Sequence, residues 1–195
     1  MFPLNLPNVL TLLRILLVPV LVVALTEEID HGSTIAAIVF VVASLSDGLD
    51  GYIARSRQSV TTFGKVMDPI ADKLLIVAAL FSLVSLDRVD AWVAMVVVAR
   101  EFAVSGLRVA AGMQGVVIPA SRLGKAKTIT QVAAILALIA AHDAGQLWVQ
   151  VLVYVAVAVT LASGADYFLG FRRRVEEARG GVGLAAERPS AAGDA

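Results

Sequence analysis

The sequence contains no cysteine, and both aromatic and charged residues are scarce in it. Aromatic residues make up 6% and charged residues 16% of the 195 positions, whereas an average soluble domain is about 25% charged. The absence of cysteine excludes disulfide bonds and thiolate-ligated metals. Hydrophobic residues reach 58% and the mean hydropathy is +0.84, which excludes both an ordinary soluble domain and a disordered chain.

The apolar residues are gathered in six stretches separated by short polar connections. These stretches cover residues 9–25, 34–55, 68–86, 91–111, 123–141 and 147–171. Each is close to the about 20 residues that cross a bilayer as a helix. We therefore predict an all-α integral membrane protein with six transmembrane helices. The expected division is an interfacial segment at residues 1–8, a six-helix domain at 9–175 and a disordered tail at 176–195.

Lysine and arginine are distributed unevenly although the formal net charge is zero. The connections at 26–33 and 142–146 contain neither residue, and the connection at 87–90 contains only Arg88. The opposite side carries Arg55, Arg57, Lys65, Arg108, Arg122, Lys125, Lys127 and the arginines after Phe171. The positive-inside rule predicts that this side and both termini face the cytoplasm at the cell membrane. A zero net charge gives no general attraction to nucleic acid, so we expect no such partner.

Four aspartates stand where the second and third apolar stretches approach this basic side. They are Asp47, Asp50, Asp68 and Asp72. An aspartate at the centre of a membrane helix costs about 2.5–3.5 kcal/mol on insertion scales, so such residues usually have a function. Positions 47, 50, 51 and 54 share one helix face, and positions 64, 68 and 72 form one stripe on the next helix. Two antiparallel helices joined by residues 56–63 place these faces opposite each other.

Carboxylates gathered in this way need counterions, and hard divalent cations bind through oxygen. Two such ions about 3.5–4 Å apart are a common arrangement for displacement at phosphorus. Gly51, Ala54 and Gly64 leave room for a ligand against the helices, and Arg55 is a candidate phosphate contact. Two alternatives remain open at this point. The aspartates pair with Arg55, Arg57, Lys65 and Lys73, or they form a proton relay in an ion-coupled transporter.

The motif formed by these residues resembles the signature of the CDP-alcohol phosphatidyltransferase family, D-x2-D-G-x2-A-R-x8-G-x3-D-x3-D. All eight fixed positions match, from Asp47 through Gly64 to Asp72. The resemblance implies a six-helix membrane enzyme that transfers a phosphatidyl group or a phospho-alcohol from a CDP-linked donor to a hydroxyl. It also implies two divalent cations, magnesium or manganese, and a homodimer.

The resemblance further implies roles for individual residues. Asp47, Asp50, Asp68 and Asp72 are the implied metal ligands, and Asp72 is also the implied general base. The implied CDP-binding residues are Gly51, Ala54, Arg55 and Gly64. A second match near the N-terminus adds Asn8, Thr11 and Arg14 to the nucleotide site. The alternative for this second match is that Asn8 caps the first helix and that Arg14 snorkels to the interface.

Three further strings resemble the members of this family whose acceptor is glycerol 3-phosphate. They are Ala99-Arg100-Glu101 with Ser105-Gly-Leu-Arg108, then Gly124-Lys125-Ala-Lys127-Thr128, and Ser163-Gly164-Ala-Asp166-Tyr167-Phe168. This resemblance implies CDP-diacylglycerol and glycerol 3-phosphate as substrates, with membrane lipids around the protein. Because the acceptor is a dianion, the candidate ligands for its phosphate are cationic: Arg100, Arg108, Lys125 and Lys127.

Alternatives remain open for the roles of these cations and for the acceptor. Arg100 is alternatively paired with Glu101 or Asp72, while Lys125 and Lys127 alternatively mark only the cytoplasmic side. The same chemistry also serves inositol phosphate, or phosphatidylglycerol in cardiolipin synthesis. The sequence assigns no role to Asp166.

Overall fold

A computed structural model describes the backbone of residues 6–56, 62–113 and 121–186, with side chains for 8–46, 67, 69–113 and 121–176. These residues form six α-helices and no strand. The helices are α1 (Leu6–Thr26), α2 (Gly32–Ser56), α3 (Thr62–Ser85), α4 (Ala91–Met113), α5 (Arg122–Ala140) and α6 (Leu147–Ala186). Each contains most of one predicted apolar stretch, so the all-α prediction is confirmed.

At both ends of the chain a helix extends past a boundary of the predicted division, and the division itself stays a prediction. Helix α1 begins at Leu6, inside the segment that we assigned to the interface. Helix α6 continues to Ala186, inside the predicted tail. An ion pair between Arg172 and Glu176, one helical turn apart at 2.9 Å, stabilises the part of α6 before residue 177. Residues 187–195 lie outside the described residues, and for them disorder stays a prediction.

The helices pack as a bundle in which α3 and α5 are central. Helix α1 packs against α2 and α3, and α6 packs against α4 and α5. Helix α5 also contacts α2 and α3, which joins the two halves. The core includes the fully buried residues Leu21, Phe40, Leu83, Ile135 and Val149, one from each helix except α4. Burial of such side chains holds the bundle together by close packing.

The outside of the bundle is as apolar as its core. Five apolar residues each expose more than half of their own surface: Leu16, Ile38, Met95, Ile129 and Leu161. Such exposed apolar side chains are unfavourable in water but are accommodated by lipid. Within the described residues, three helical segments are long and apolar enough to cross a membrane. They are Asn8–Thr26, Arg122–Ala140 and Leu147–Glu176. The chain is therefore an all-α multi-pass membrane protein.

The two ends of the bundle are chemically different. One end carries the start of α4 and of α6, where Trp92 and Trp148 are about half exposed. Trp92 stacks on Tyr154 with 6.2 Å between ring centroids, and such exposed aromatic residues are typical of a membrane interface. The other end carries the late part of α4, the start of α5 and the late part of α6. The polar cavities described next lie there.

Candidate active site

The polar face of α1 is buried against α2. Asn8, Thr11 and Arg14 are all buried, and Arg14 is 0% exposed. The Arg14 Nε atom donates a hydrogen bond to the carbonyl oxygen of Ala43 at 3.2 Å, and Nη2 donates to Ser46 Oγ at 3.5 Å. Both contacts are on the turn of α2 that precedes Asp47. The guanidinium therefore points into the protein, which excludes snorkelling.

The buried position of Asn8 is also inconsistent with a helix cap. Helix α1 begins at Leu6, so Asn8 is within its first turn and not before it. A buried, polar N-terminal turn is expected where a helix takes part in a binding site. The assignment of Asn8, Thr11 and Arg14 to the nucleotide stays a prediction.

The aspartate motif lies on the ends of α2 and α3 that approach the polar end of the bundle. Asp47 and Asp50 are one turn apart on α2, and Asp68 and Asp72 are one turn apart on α3. The side chain of Asp72 is described. The other motif side chains lie outside the described residues: Asp47, Asp50, Gly51, Ala54, Arg55, Gly64 and Asp68.

The positions and donor atoms of the motif carboxylates can be compared with those that a divalent cation requires. Ser44 of α2 and Asp72 of α3 line the same small cavity. Asp47 follows Ser44 by three residues on the same helix, so its position is on the same face. All four motif carboxylates supply hard oxygen donors, which suit magnesium or manganese. The described side chains alone contain no group of three or more carboxylates or histidines that could hold a metal.

The larger cavity at this end brings together all four candidate phosphate ligands. It has a volume of about 550 Å³ and is lined by Arg100 and Arg108 of α4 and by Lys125 and Lys127 of α5. Asp72 and Lys73 of α3 form another part of its wall. These residues are far apart in the sequence, and only the packing of α3, α4 and α5 unites them. Among the described side chains, its wall has five cations against two carboxylates, a balance that favours an anion.

The first turn of α5 opens on the same cavity. Ser121 is the N-cap, and its hydroxyl accepts a hydrogen bond from the Gly124 backbone N–H at 3.1 Å. Ser121, Gly124 and Lys125 all line the cavity. The N-terminus of a helix carries a partial positive charge and favours a phosphate. The partial positive charge at the N-terminus of α5 and the charge of Lys125 therefore both attract a phosphate.

A buried carboxylate contacts two of the four cations. Glu101 is 7% exposed, and its Oε1 atom lies 2.5 Å from Lys127 Nζ and 3.3 Å from Arg100 Nη1. Arg100 also donates a hydrogen bond to Ser163 Oγ of α6. The pairing of Arg100 with Glu101, which the sequence left open, is therefore present. Arg100 is thus paired with Glu101 and is also part of the cavity wall.

Helix α6 shapes the cavity around these cations. A Cβ atom at Gly164 would lie 3.2 Å from Arg100 Cγ, so the glycine makes room for the arginine side chain. The Arg108 guanidinium lies over the ring of Tyr167, 5.9 Å from its centroid, in a cation–π contact. Asp166 is exposed.

Sequence reasoning assigned no role to Glu101, Ser105, Ser163 or Tyr167, although all four line this cavity. Each occurs within a string that resembles the family. That resemblance was the available signal, but it does not show which side of a helix faces the cavity.

A smaller cavity of about 90 Å³ adjoins the larger one on the side of α1 and α2. Asp72, Lys73, Glu101, Lys127 and Thr128 line both cavities and form the wall between them. Gln131 lines the smaller cavity and is 3% exposed. Neither polar atom of its amide has a hydrogen-bond partner among the described residues, so ordered water is expected there.

Comparison with protein families confirms the resemblance seen in the sequence. The model of the CDP-alcohol phosphatidyltransferase family matches residues 4–162. The chain belongs to this family. The match covers α1 to α5 and the first part of α6, including the aspartate motif. It ends just before Ser163 and Tyr167, which line the larger cavity.

Individual relatives are similar along most of the chain. A relative from Bacillus subtilis (strain 168) is 41% identical over 180 residues, which is 84% of this chain and 93% of the relative. A relative from Rickettsia felis is 40% identical over 169 residues, with the same coverage. Both are named CDP-diacylglycerol–glycerol-3-phosphate 3-phosphatidyltransferase. A relative from rice, named cardiolipin synthase (CMP-forming), is 37% identical and covers 72% of this chain and 47% of its own length.

Proposed function

We propose that the enzyme transfers the phosphatidyl group of CDP-diacylglycerol to the hydroxyl of glycerol 3-phosphate, giving phosphatidylglycerophosphate and CMP in phospholipid biosynthesis. The observation that carries this proposal is the cationic cavity of about 550 Å³ beside Asp72. Its excess of positive charge suits an acceptor that carries a phosphate. The names of the relatives at 41% and 40% identity support the same reaction.

The proposed site has two parts that meet at α3. The nucleotide part contains the motif residues of α2 and the buried face of α1 around Arg14. The acceptor part is the larger cavity, with Asp72 in its wall. In this arrangement the lipid chains of the donor lie among the exposed apolar side chains outside the bundle, while the water-soluble acceptor enters from the polar end.

Two divalent cations, magnesium or manganese, are proposed at Asp47, Asp50, Asp68 and Asp72. The motif is a set of carboxylate oxygens, which are the ligands that these ions prefer. When bound, the ions supply positive charge that stabilises the diphosphate and the departing CMP. We expect a chelator to abolish turnover, and magnesium or manganese to restore it.

The chemical step uses the proton of the acceptor. Asp72 takes the proton from the acceptor hydroxyl, and the oxygen forms a bond to the phosphorus that carries the diacylglycerol. The bond from that phosphorus to the CMP oxygen breaks, and CMP leaves with the electron pair. The helix N-terminus of α5 and the cavity cations keep the acceptor phosphate in place during this step.

A direct test uses the purified protein in detergent micelles with CDP-diacylglycerol and magnesium. We expect CMP release with glycerol 3-phosphate and much slower release with inositol phosphate or phosphatidylglycerol. Faster release with either alternative acceptor would assign the enzyme to that reaction. An absence of CMP release with all three, in folded protein, would remove the proposal and favour an ion-coupled transporter.

The general base is tested by Asp72→Asn, with Asp166→Asn as its control. Loss of a general base lowers turnover by about 10²–10⁴-fold, and Asp72 is also a proposed metal ligand. We therefore expect at least about a 100-fold lower kcat for Asp72→Asn. Asp166 is exposed, so Asp166→Asn should retain turnover. Near-normal turnover of Asp72→Asn would show that another group takes the proton.

The polar end of the bundle is proposed to face the cytoplasm at the cell membrane, with both termini on that side. The distribution of lysine and arginine supports this orientation. A homodimer is also proposed. The exposed apolar faces of the helices are compatible with it, and crosslinking in the native membrane tests it.

A further inference from the structure

Four of the five cations that line the larger cavity form two pairs. Arg100 and Lys127 are the inner pair, since both contact the buried Glu101 carboxylate. Arg108 and Lys125 are the outer pair. Both are exposed, and neither forms an ion pair with any carboxylate whose side chain the structure describes. The fifth cation, Lys73, donates a hydrogen bond to the carbonyl oxygen of Pro69 at 3.0 Å.

The two pairs also lie at different depths. Lys127 is 8% exposed and lines both cavities, as do Glu101 and Asp72. Arg100 lines only the larger cavity, as do Arg108 and Lys125, but its side chain is 12% exposed whereas theirs are exposed. The inner part of the cavity is therefore next to Asp72, and the outer pair stands further towards its opening.

We propose that Glu101 is a positioning residue that sets the direction in which the acceptor binds. By engaging Arg100 and Lys127, Glu101 leaves Arg108 and Lys125 as the principal site for the acceptor phosphate. The hydroxyl at the other end of the acceptor then faces Asp72. This inference rests on the proposed function, because it concerns the same acceptor.

The electrostatics of the inner wall supports this direction. A phosphate dianion at the inner wall would meet the buried Glu101 carboxylate, and like charges in a partly buried site repel more strongly than in water. Glu101 already offsets part of the positive charge of Arg100 and Lys127. At the outer pair no described carboxylate opposes the phosphate, and the α5 N-terminus adds to the attraction. The dianion is therefore more stable at the outer pair.

The contacts of Glu101 also show why the inner cations keep their places. Lys127 is on α5 and Arg100 is on α4, and Arg100 continues to Ser163 on α6. Gly164 provides the space for Arg100, because a Cβ atom there would lie 3.2 Å from Arg100 Cγ. The Glu101 carboxylate thus fixes two cations among α4, α5 and α6. These contacts keep Arg100 and Lys127 at the inner wall when a phosphate binds at the outer pair.

The first experiment replaces Glu101 by glutamine, which retains an oxygen acceptor and the side-chain shape but removes the charge. Binding of inorganic phosphate to the detergent-purified protein is measured by titration calorimetry. We expect about tenfold tighter phosphate binding, because the inner cations become available. We also expect the kcat for CMP release to fall by at least about tenfold, with no rise in the KM for glycerol 3-phosphate, because a phosphate held further inside displaces the hydroxyl from Asp72.

Glu176→Gln is the matched control, since Glu176 is exposed and pairs with Arg172 at 2.9 Å. It should change neither phosphate binding nor kcat. The double variant Glu101→Gln/Lys127→Met removes one of the two cations that the single variant releases. Phosphate binding should then return towards the wild-type value. Unchanged phosphate binding and unchanged kcat in Glu101→Gln would overturn the proposal.

A second comparison keeps the test decisive if Glu101→Gln does not fold. Lys127→Met and Lys125→Met each remove one lysine from the same helix. We expect about tenfold weaker phosphate binding for Lys125→Met and less than about twofold change for Lys127→Met. Equal losses would overturn the division into two pairs. Phosphate binding is measured without turnover. If Lys125→Met and Lys127→Met differ as expected but the wild-type protein releases no CMP with glycerol 3-phosphate, the proposed function is wrong while the division into two pairs stands.

Discussion

The two lysines of α5 that line the larger cavity illustrate how much the surroundings of a residue differ within a single turn. Lys125 and Lys127 are two residues apart, which places them about 200° apart around the helix. Lys127 is buried and contacts Glu101, whereas Lys125 is exposed. The side chain of Lys125 is therefore available to a phosphate at little cost in desolvation.

We predict that Lys125→Met raises the KM for glycerol 3-phosphate by about tenfold, because a charge-assisted contact with phosphate is worth about 1.5–3 kcal/mol. The KM for CDP-diacylglycerol should stay unchanged. Initial rates of CMP release at varied acceptor and varied donor concentrations measure both values. Arg122→Met is the control, since Arg122 lies on the same helix and does not line the cavity. A rise confined to the donor KM would place Lys125 at the nucleotide.

At the scale of elements, the turn between α1 and α2 depends on one glycine. Helix α2 begins at Gly32, and a Cβ atom there would lie 2.6 Å from the carbonyl oxygen of Ala24. His31 precedes it with a φ of 59°, a conformation that few residues other than glycine adopt readily. The turn sets how α1 packs against α2, and so how Arg14 reaches Ala43.

We predict that Gly32→Ala lowers the free energy of unfolding by about 1–3 kcal/mol, because the added methyl group would overlap backbone atoms that cannot move aside easily. Gly106→Ala in α4 is the matched control. A Cβ atom there has no heavy atom within 4 Å, so the variant should be up to about 1 kcal/mol more stable through its higher helix propensity. Unfolding of both variants in detergent micelles, followed by circular dichroism, measures the difference.

The far end of α5 is held by a side chain from another connection. Arg88 Nη1 donates a hydrogen bond to the carbonyl oxygen of Ile139 at 3.2 Å, and Nη2 donates to the carbonyl oxygen of Ala141. Ala141 is the C-cap of α5. The last carbonyls of a helix lack partners within it, and a cation there also interacts favourably with the helix dipole.

We predict that Arg88→Met lowers the free energy of unfolding by about 1–3 kcal/mol, because buried carbonyl oxygens lose a charged donor. CMP release at a temperature where the variant stays folded should be unchanged, since Arg88 lies at the opposite end from the two polar cavities. Arg172→Met, which breaks an exposed pair, should change stability by less than about 1 kcal/mol. A loss of activity in folded Arg88→Met would show that this end of the bundle affects the site.

At the scale of the whole molecule, the absence of cysteine makes the proposed orientation directly testable. His142 is exposed at one end of the bundle, and Arg122 is exposed at the other. Single cysteines introduced at these positions are the only thiols in the protein.

We predict that a membrane-impermeant maleimide labels His142→Cys but not Arg122→Cys in intact cells, because the positive-inside rule places Arg122 in the cytoplasm. Both variants should be labelled after the membrane is permeabilised, which controls for access to the thiol. The reverse pattern in intact cells would place the cationic cavity outside the cytoplasm.

The sequence by itself determined the number and the kind of helices. In a bilayer every backbone polar group needs an internal partner, and apolar stretches of about 20 residues satisfy this need by forming helices. The fixed spacing of the motif also predicts that Asp47, Asp50, Asp68 and Asp72 act as a set, since helical periodicity relates residues three and four apart. Those relations are local, so they can be deduced without a tertiary structure.

The tertiary structure alone decided which distant residues share a cavity and which of the cations are already engaged. Lys127 is an ordinary basic residue in the sequence, and its contact with Glu101 joins α5 to α4 and so depends on how the helices pack. The burial of Arg14 likewise depends on the contact between α1 and α2. Helices that are apolar on most faces do not specify which face turns inward. Close packing between helices makes that choice, and with it the surroundings of each charge.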